Sequence, residues 1–380
     1  MDKAGIYIHI PFCRSRCSYC DFATGTYEGE LAERYVRALV TEIAAFPDAS
    51  EEKPDVDTIY FGGGTPSLLT PAQIAQILAS VRARFCVAET AEITLEMNPG
   101  TVTGEALCEL QRLGINRASF GAQTFDDWEL RRLGRTHTAE DARRTLEHLR
   151  VAGFNNISFD LIAGLPEQTL LSWSHNLDEA LALRPAHLSL YLLEVHEGTP
   201  LAAQIKRGMW REPDSDAAAD MYQLMLDRID AAGYEHYEIS NFCLPGYQAR
   251  HNTKYWTGAP FYGFGCSAHS FDGEKLRWSN ERDAARYVEL VEAGRSAIVE
   301  TIELDARAAS AESLFLGLRL MERGVSLAEH RARFGADVRV EYRHDLQRFT
   351  EAGLIELSDD RMKLTRAGAL LSNEVFAAFV

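Results

Sequence analysis

The chain has 380 residues, and 39 Lys+Arg against 56 Asp+Glu leave a formal net charge of −17. With 46% hydrophobic and 25% charged residues it can bury a full core, which excludes a disordered or collagen-like chain. The acidity excludes a broad nucleic-acid surface, which needs a basic stripe, and no apolar run approaches the ~18–20 residues that span a bilayer.

Strand-like and helix-like segments alternate through the first half. Residues 5–10 (GIYIHI) read as a strand and 31–45 as a helix. Residues 58–61 form a strand running into glycines, followed by a helix over 71–84 with Pro71 at its start and Thr70 as N-cap. The pattern continues with strand 92–96, helix 104–113, strand 117–121, a helix over 139–152 capped by Thr138, strand 157–162, helix 172–182 and strand 187–192. Six strands, each followed by helix-like sequence, demand right-handed parallel crossovers. No G-x-G-x-x-G follows the first strand, so a partial (β/α)6 barrel with its site at the C-terminal strand ends is preferred to a dinucleotide-binding sheet. The expected organisation is a partial barrel over 1–200, an extension over 201–303 that contains a helix at 216–232 and a loop rich in aromatics, Gly, Asn and His, and a helical module over 304–380. In that last module Gly353–Leu364 reads as helix end, strand, tight turn at 358–361 and strand, as in a winged helix; its composition favours a structural or contact role over DNA binding. The N-terminus shows neither signal nor transit peptide, and seven cysteines is an odd number. Both point to a reducing compartment, the cytoplasm, with cysteines as ligands, reactive thiols or small core residues.

The run Cys13-Arg-Ser-Arg-Cys17-Ser-Tyr-Cys20 carries the chemistry. Three thiolates on one loop directly after the first strand can hold a soft metal centre; a [4Fe–4S] cluster held by three cysteines keeps one iron open to an outside ligand. Structural zinc on the three cysteines and His9 is the alternative. The spacing C-x3-C-x2-C, with Tyr19 before the last cysteine, resembles the radical S-adenosylmethionine (SAM) superfamily. The resemblance implies that the open iron binds the amino and carboxylate groups of SAM, and that an electron from the cluster cleaves SAM to methionine and a 5′-deoxyadenosyl radical. Gly62-Gly63-Gly64-Thr65-Pro66 follows the second strand, where glycines let a backbone approach a ligand. Glu96 ends the third strand, Gln123 and Arg135 flank the next connection, and Asp160 lies inside an apolar strand, where a charge needs a partner or a site. Cys86, Cys108, Cys243 and Cys266 show no ligand spacing.

The ordered runs IHIPFC (8–13), GGGTP (62–66), EMNP (96–99), GAQTF (121–125) and DLIAGLP (160–166) resemble the oxygen-independent coproporphyrinogen III oxidase group from about Gly5 to the C-terminus. This likeness implies cluster ligation by Cys13, Cys17 and Cys20, and places Tyr7, Gly63, Gly64, Thr65, Glu96, Gln123, Arg135 and Asp160 around SAM, several of them at the second SAM that the oxidases bind. Two departures set the chain apart. Phe22 stands where the oxidases have a fourth cysteine, and only twelve residues precede Cys13. Both features, with the H-N-x-x-Y-W run His251–Trp256, resemble the HemW-type heme chaperones. That resemblance implies heme as cargo, delivery to acceptor hemoproteins of respiration, transient membrane contact and no porphyrinogen decarboxylation. An imidazole is an ordinary axial ligand of heme iron, and Tyr255 and Trp256 offer flat apolar surface. Arg250 and Lys254 are candidates to meet heme propionates. His269 is a second candidate ligand, and the residues leave the choice between it and His251 open. The rival readings are an oxygen-independent coproporphyrinogen dehydrogenase and a zinc protein without redox chemistry.

Overall fold

The computed structural model describes residues 2–47 and 53–379. Its core is a run of six parallel strands: β1 (Ala4–Ile10), β2 (Asp55–Gly63), β3 (Cys86–Met97), β4 (Arg117–Gln123), β5 (Asn156–Ala163) and β6 (His187–Leu192), each paired with the next. The crossovers carry α1 (Gly29–Ala44), α2 (Pro71–Arg84), α3 (Gly104–Arg112), α4 (Asp127–Arg132), α5 (Ala139–Val151) and α6 (Leu170–Leu183). The expected caps are present: Thr70 accepts from Gln73 N–H and Thr138 from Asp141 N–H, each within a reciprocal capping box. Alternation along β1 buries Ile6, Ile8 and Ile10 against the helices and turns Gly5, Tyr7 and His9 to the lumen. The lumen is polar: Tyr60 meets Glu96, Ser119 meets Asp160, and Ser158 meets His187.

The segment after β6 departs from the sequence expectation. It contains α7 (Pro200–Lys206), α8 (Ser215–Ala231), β7 (Glu235–Glu238), β8 (Asn241–Cys243), α9 (Arg250–Thr257), β9 (Phe261–Phe264), β10 (His269–Phe271), β11 (Leu276–Asn280), α10 (Ala284–Glu292) and β12 (Ile298–Glu303). Among the described residues the sheet therefore has twelve strands in the order β12-β11-β10-β9-β1-β2-β3-β4-β5-β6-β8-β7, and β9 pairs parallel with β1. The H-N-x-x-Y-W run, expected in a loop, is helix α9. Its reason is long-range. The N-cap position is Ala249, whose side chain has no acceptor; the carboxylate of Glu92 in β3 accepts the N–H groups of Arg250 (3.1 Å) and His251 (3.0 Å) instead. A carboxylate at a helix N-terminus satisfies free donors and complements the helix dipole, and no local sequence signal announces it.

The C-terminal region is helical, with α11 (Ala306–Leu318), a turn into β13 (Val325–Ser326), and three helices α12 (Leu327–Phe334), α13 (Val338–Glu341) and α14 (Arg343–Glu351). The hairpin β14 (Ile355–Leu357) and β15 (Arg361–Leu364) follows, in sheet order β13-β15-β14. Ser358 N–H donates to Arg361 O (2.9 Å), closing the expected turn. Leu314, Leu318, Leu346, Phe349, Ile355 and Met362 belong to a core of its own.

Candidate functional site

The loop after β1 doubles back on itself. Residues 12–13 pair in parallel with 25–26; Gly25 N–H reaches Pro11 O (2.8 Å) and Tyr27 N–H reaches Cys13 O (2.9 Å). Ser18 ties it outward, donating to Leu133 O (2.9 Å) and accepting from Leu201 N–H (2.8 Å). Cys13, Cys17 and Cys20 are thus presented from a backbone clamped on several sides. Thr65 Oγ1 donates to Cys13 Sγ (3.6 Å) and Arg135 Nη1 to Cys17 Sγ (3.4 Å). Burial pushes the Cys13 and Cys20 thiols up, so their thiolates need a metal centre or a cation to form. Among the described residues no group of three or more His, Cys, Asp or Glu converges on a single metal ion. A cubane cluster makes a different demand, because each thiolate takes its own iron. Donors aimed at sulfur are a usual feature of such sites, and this donor set fits one. His9, the fourth ligand of the zinc alternative, has both ring nitrogens hydrogen-bonded, Nδ1 to Tyr7 Oη (3.1 Å) and Nε2 to Ala23 O (3.0 Å).

Beside the loop lies the glycine turn. At Gly64 a Cβ would stand 2.7 Å from Phe12 O and 3.0 Å from Cys13 Sγ, so a side chain would displace the cysteine loop. Gly63 has φ +110°, and its N–H donates to Glu96 Oε2 (3.3 Å). Burial, with Asp160 adding, pushes Glu96 up to about 7; a ligand ammonium would favour its charged form. Arg135 Nη2 donates to Gly121 O (2.5 Å) and Asn98 Oδ1 (2.9 Å), and Asn98 Nδ2 in turn to Thr65 Oγ1 (2.8 Å). Arg135 therefore joins the cysteine loop to β3 and β4. Gln123 is a non-glycine residue at φ +65°, at a register shift where β4 meets β5. Burial raises Asp160, which accepts from Ser119 Oγ (3.5 Å). The structure thus brings the cysteines, Gly63, Gly64, Thr65, Glu96 and Arg135 together at the C-terminal strand ends, with Gln123 and Asp160 on the adjoining strands. Two neighbours were missed. Asn98, at the strand end before Pro99, links Thr65 to Arg135. Arg117, inside β4, is 1% exposed; its Nε and Nη1 meet no hydrogen-bond partner among the described residues, and its charge faces Glu92, Tyr60 and Asp160. The signal that singled out Asp160, a charge inside a short strand, applies equally to Arg117.

The heme candidates separate. α9 closes the opposite, N-terminal end of the barrel. His251 is fully buried: Nδ1 meets Thr58 Oγ1 (2.9 Å), Nε2 meets Tyr255 Oη (2.8 Å), and burial with the nearby Lys254 and Arg117 cations pushes it down to about 3. Lys254 and Arg250, considered as propionate partners, are both held by Asp57, at 2.7 and 3.2 Å. Trp256 lies under the Arg319 guanidinium (4.2 Å), against α11. His269, in contrast, is exposed and lines a cavity of about 410 Å³ together with Tyr7, His9, Phe22, Tyr255 and Phe261. A second, polar cavity of about 150 Å³ lies between Arg14, Thr65, Asn98, Arg135 and His137.

Residues 7–179 match the radical SAM superfamily and residues 304–371 the HemN C-terminal domain. The heme chaperone HemW of Bacillus subtilis is 36% identical over 375 residues, 98% of each chain. The chain belongs to the HemW family. HemW of Escherichia coli is 39% identical over 285 residues, 73% of each chain. Among solved structures, the coproporphyrinogen III oxidase HemN of Escherichia coli, a radical SAM enzyme, superposes with a TM-score of 0.85 at 25% identity, covering 99% of this chain and 90% of that one. The partial barrel with a helical C-terminal region is thus common to this HemW family member and the oxidase. Among the described residues no helix is long and apolar enough to cross a membrane.

Proposed function

We propose that this protein is a radical SAM-type heme chaperone of the cytoplasm that binds heme and passes it to acceptor hemoproteins of respiration, with transient membrane contact. The observation that carries the reading is likeness along 98% of the chain to relatives named heme chaperones, combined with Phe22 at the position of the oxidases' fourth cysteine. Cys13, Cys17 and Cys20 would hold a [4Fe–4S] cluster. When bound, the cluster and SAM supply one-electron chemistry at the barrel mouth. Glu96, pushed up to about 7 by burial and held by Tyr60 and Gly63, takes the SAM ammonium as the charged carboxylate. Gly63, Gly64 and Thr65 let the backbone close on the ligand, Tyr7 lines the lumen beside it, and Gln123, Arg135 and Asp160 complete the polar wall.

The test is anaerobic reconstitution followed by hemin titration and transfer to an apo-cytochrome, with iron and sulfide measured on the same sample. Stoichiometric hemin binding and transfer are expected, and replacing Cys13, Cys17 and Cys20 by Ala should remove the iron and sulfide. A second reading, oxidative decarboxylation of porphyrinogen propionates, is favoured by the fold match to HemN. Product analysis with coproporphyrinogen, SAM and reductant decides between them, and turnover would end the chaperone reading.

A further inference from the structure

We propose that Arg117 is a positioning residue of the SAM site: its guanidinium, fixed in the floor of the barrel lumen, supplies the counter-charge that keeps Glu96 and Asp160 as carboxylates facing the ligand. The inference rests on the SAM-binding reading and adds what sustains the acidic groups of that site.

The placement follows from strand register. Arg117 on β4 pairs with Thr94 on β3 and with Asn156 on β5, and Tyr60 on β2 pairs with Thr94. Side chains two residues apart on a strand share a face. Arg117 therefore stands on the lumenal face, toward the closed N-terminal end of the barrel. Glu96 lies one step above it on one neighbouring strand and Asp160 two steps above it on the other, while Glu92 lies one step below. Three carboxylates surround one guanidinium that is 1% exposed. Tyr60, level with Arg117, is the residue whose hydroxyl reaches Glu96 (2.6 Å).

The fold leaves this charge available. Glu92 is engaged by the N-terminus of α9, and among the described residues Arg117 Nε and Nη1 meet no hydrogen-bond partner. A buried cation is costly unless opposite charge answers it, and arginine keeps its proton where a buried lysine would tend to lose it. Burial raises Glu96 to about 7 and raises Asp160 as well; Arg117 pulls both back. Arg135 also faces Asp160, but it is held by Cys17, Asn98 and Gly121. The remaining groups that face Glu96 are Tyr7 on β1, Tyr60 on β2, Tyr191 on β6 and Tyr255 on α9, phenols that carry no charge at neutral pH. Arg117 is thus a fixed cation against which Glu96 ionises before the ligand ammonium arrives.

Anaerobic calorimetry of SAM binding between about pH 6 and pH 9 tests this on the full-length, cluster-reconstituted protein, using wild type, Arg117→Gln and Arg117→Met. The two neutral variants differ in polarity, so failure of one to fold leaves the other; iron and sulfide content and urea unfolding select folded, equally loaded samples. Equal loading cancels the charge of the cluster, and titration of SAM itself cancels in the ratio of variant to wild type. The pH of half-maximal affinity is expected to move up by about one unit in the neutral variants. Binding then becomes roughly fivefold weaker at pH 7, and the curves converge toward pH 9. A loss of equal size at every pH gives Arg117 a purely structural role and overturns the inference, as does a pH profile identical to that of wild type. A wild-type protein that binds no SAM defeats the SAM-binding reading itself.

Discussion

Tyr60 donates its hydroxyl to Glu96 Oε1 across 2.6 Å, at the strand ends where the glycine turn also reaches the same carboxylate. A hydrogen bond to a charged group contributes about 1.5–3 kcal/mol. This bond lowers the proton affinity of a carboxyl that burial has raised to about 7. Tyr60→Phe is therefore expected to raise Glu96 further and to weaken SAM binding on the order of tenfold at pH 7, with iron and sulfide content retained. Anaerobic calorimetry with SAM measures it; unaltered affinity would remove Glu96 as the ammonium partner.

Gly63→Ala combines two penalties. The backbone stands at φ +110°, and the new methyl would lie 2.6 Å from the His9 ring. Strain of this kind costs about 1–3 kcal/mol at one residue. Urea unfolding of the apo-protein should show a loss of that order, together with reduced SAM affinity.

Arg319 holds Glu238 with two bonds, Nε at 2.9 Å and Nη2 at 2.7 Å, while its plane covers Trp256. The Glu238 side chain is 1% exposed. Removing one partner of a buried pair strands the other charge and costs about 3–5 kcal/mol. Arg319→Ala should destabilise by that amount in denaturant titration and admit protease between the barrel and residues 304–379. Arg319→Lys should recover only part of the loss, since it keeps the charge without the planar fork.

Stability should depend on pH in two opposing ways. Burial pushes Glu42 up to about 7, so its folded form binds a proton that the unfolded form, near 4.3, has released. Its contribution is complete below about pH 4.3 and is lost as pH rises toward 7. His251, pushed down to about 3, has the opposite sign: stability is lost as pH falls from about 6.5 toward 3. Glu42→Gln isolates the first effect. The difference in melting temperature, variant minus wild type, should grow more positive between pH 5 and pH 8; a difference independent of pH would show that Glu42 does not titrate there.

Sequence alone determined the parallel six-strand plan, its capped helices and the cysteine loop. Those features rest on local information: alternation of period two, Thr70 and Thr138 three residues ahead of a partner, and C-x3-C-x2-C within eight residues. Glu96 and the glycine turn were legible because each lies at a strand end, and Asp160 because a charge inside an apolar strand needs a partner or a site. Tertiary structure alone decided what those residues do to one another. Arg135 bonding Cys17, Asn98 and Gly121, and Glu92 capping α9 from β3, join positions far apart in the chain, and nothing near either partner encodes the other. The same holds for the histidines. His251 and His269 are equivalent as letters. Burial and two hydrogen bonds close the first, while a cavity opens beside the second, because availability of a lone pair depends on three-dimensional neighbours and not on residue type.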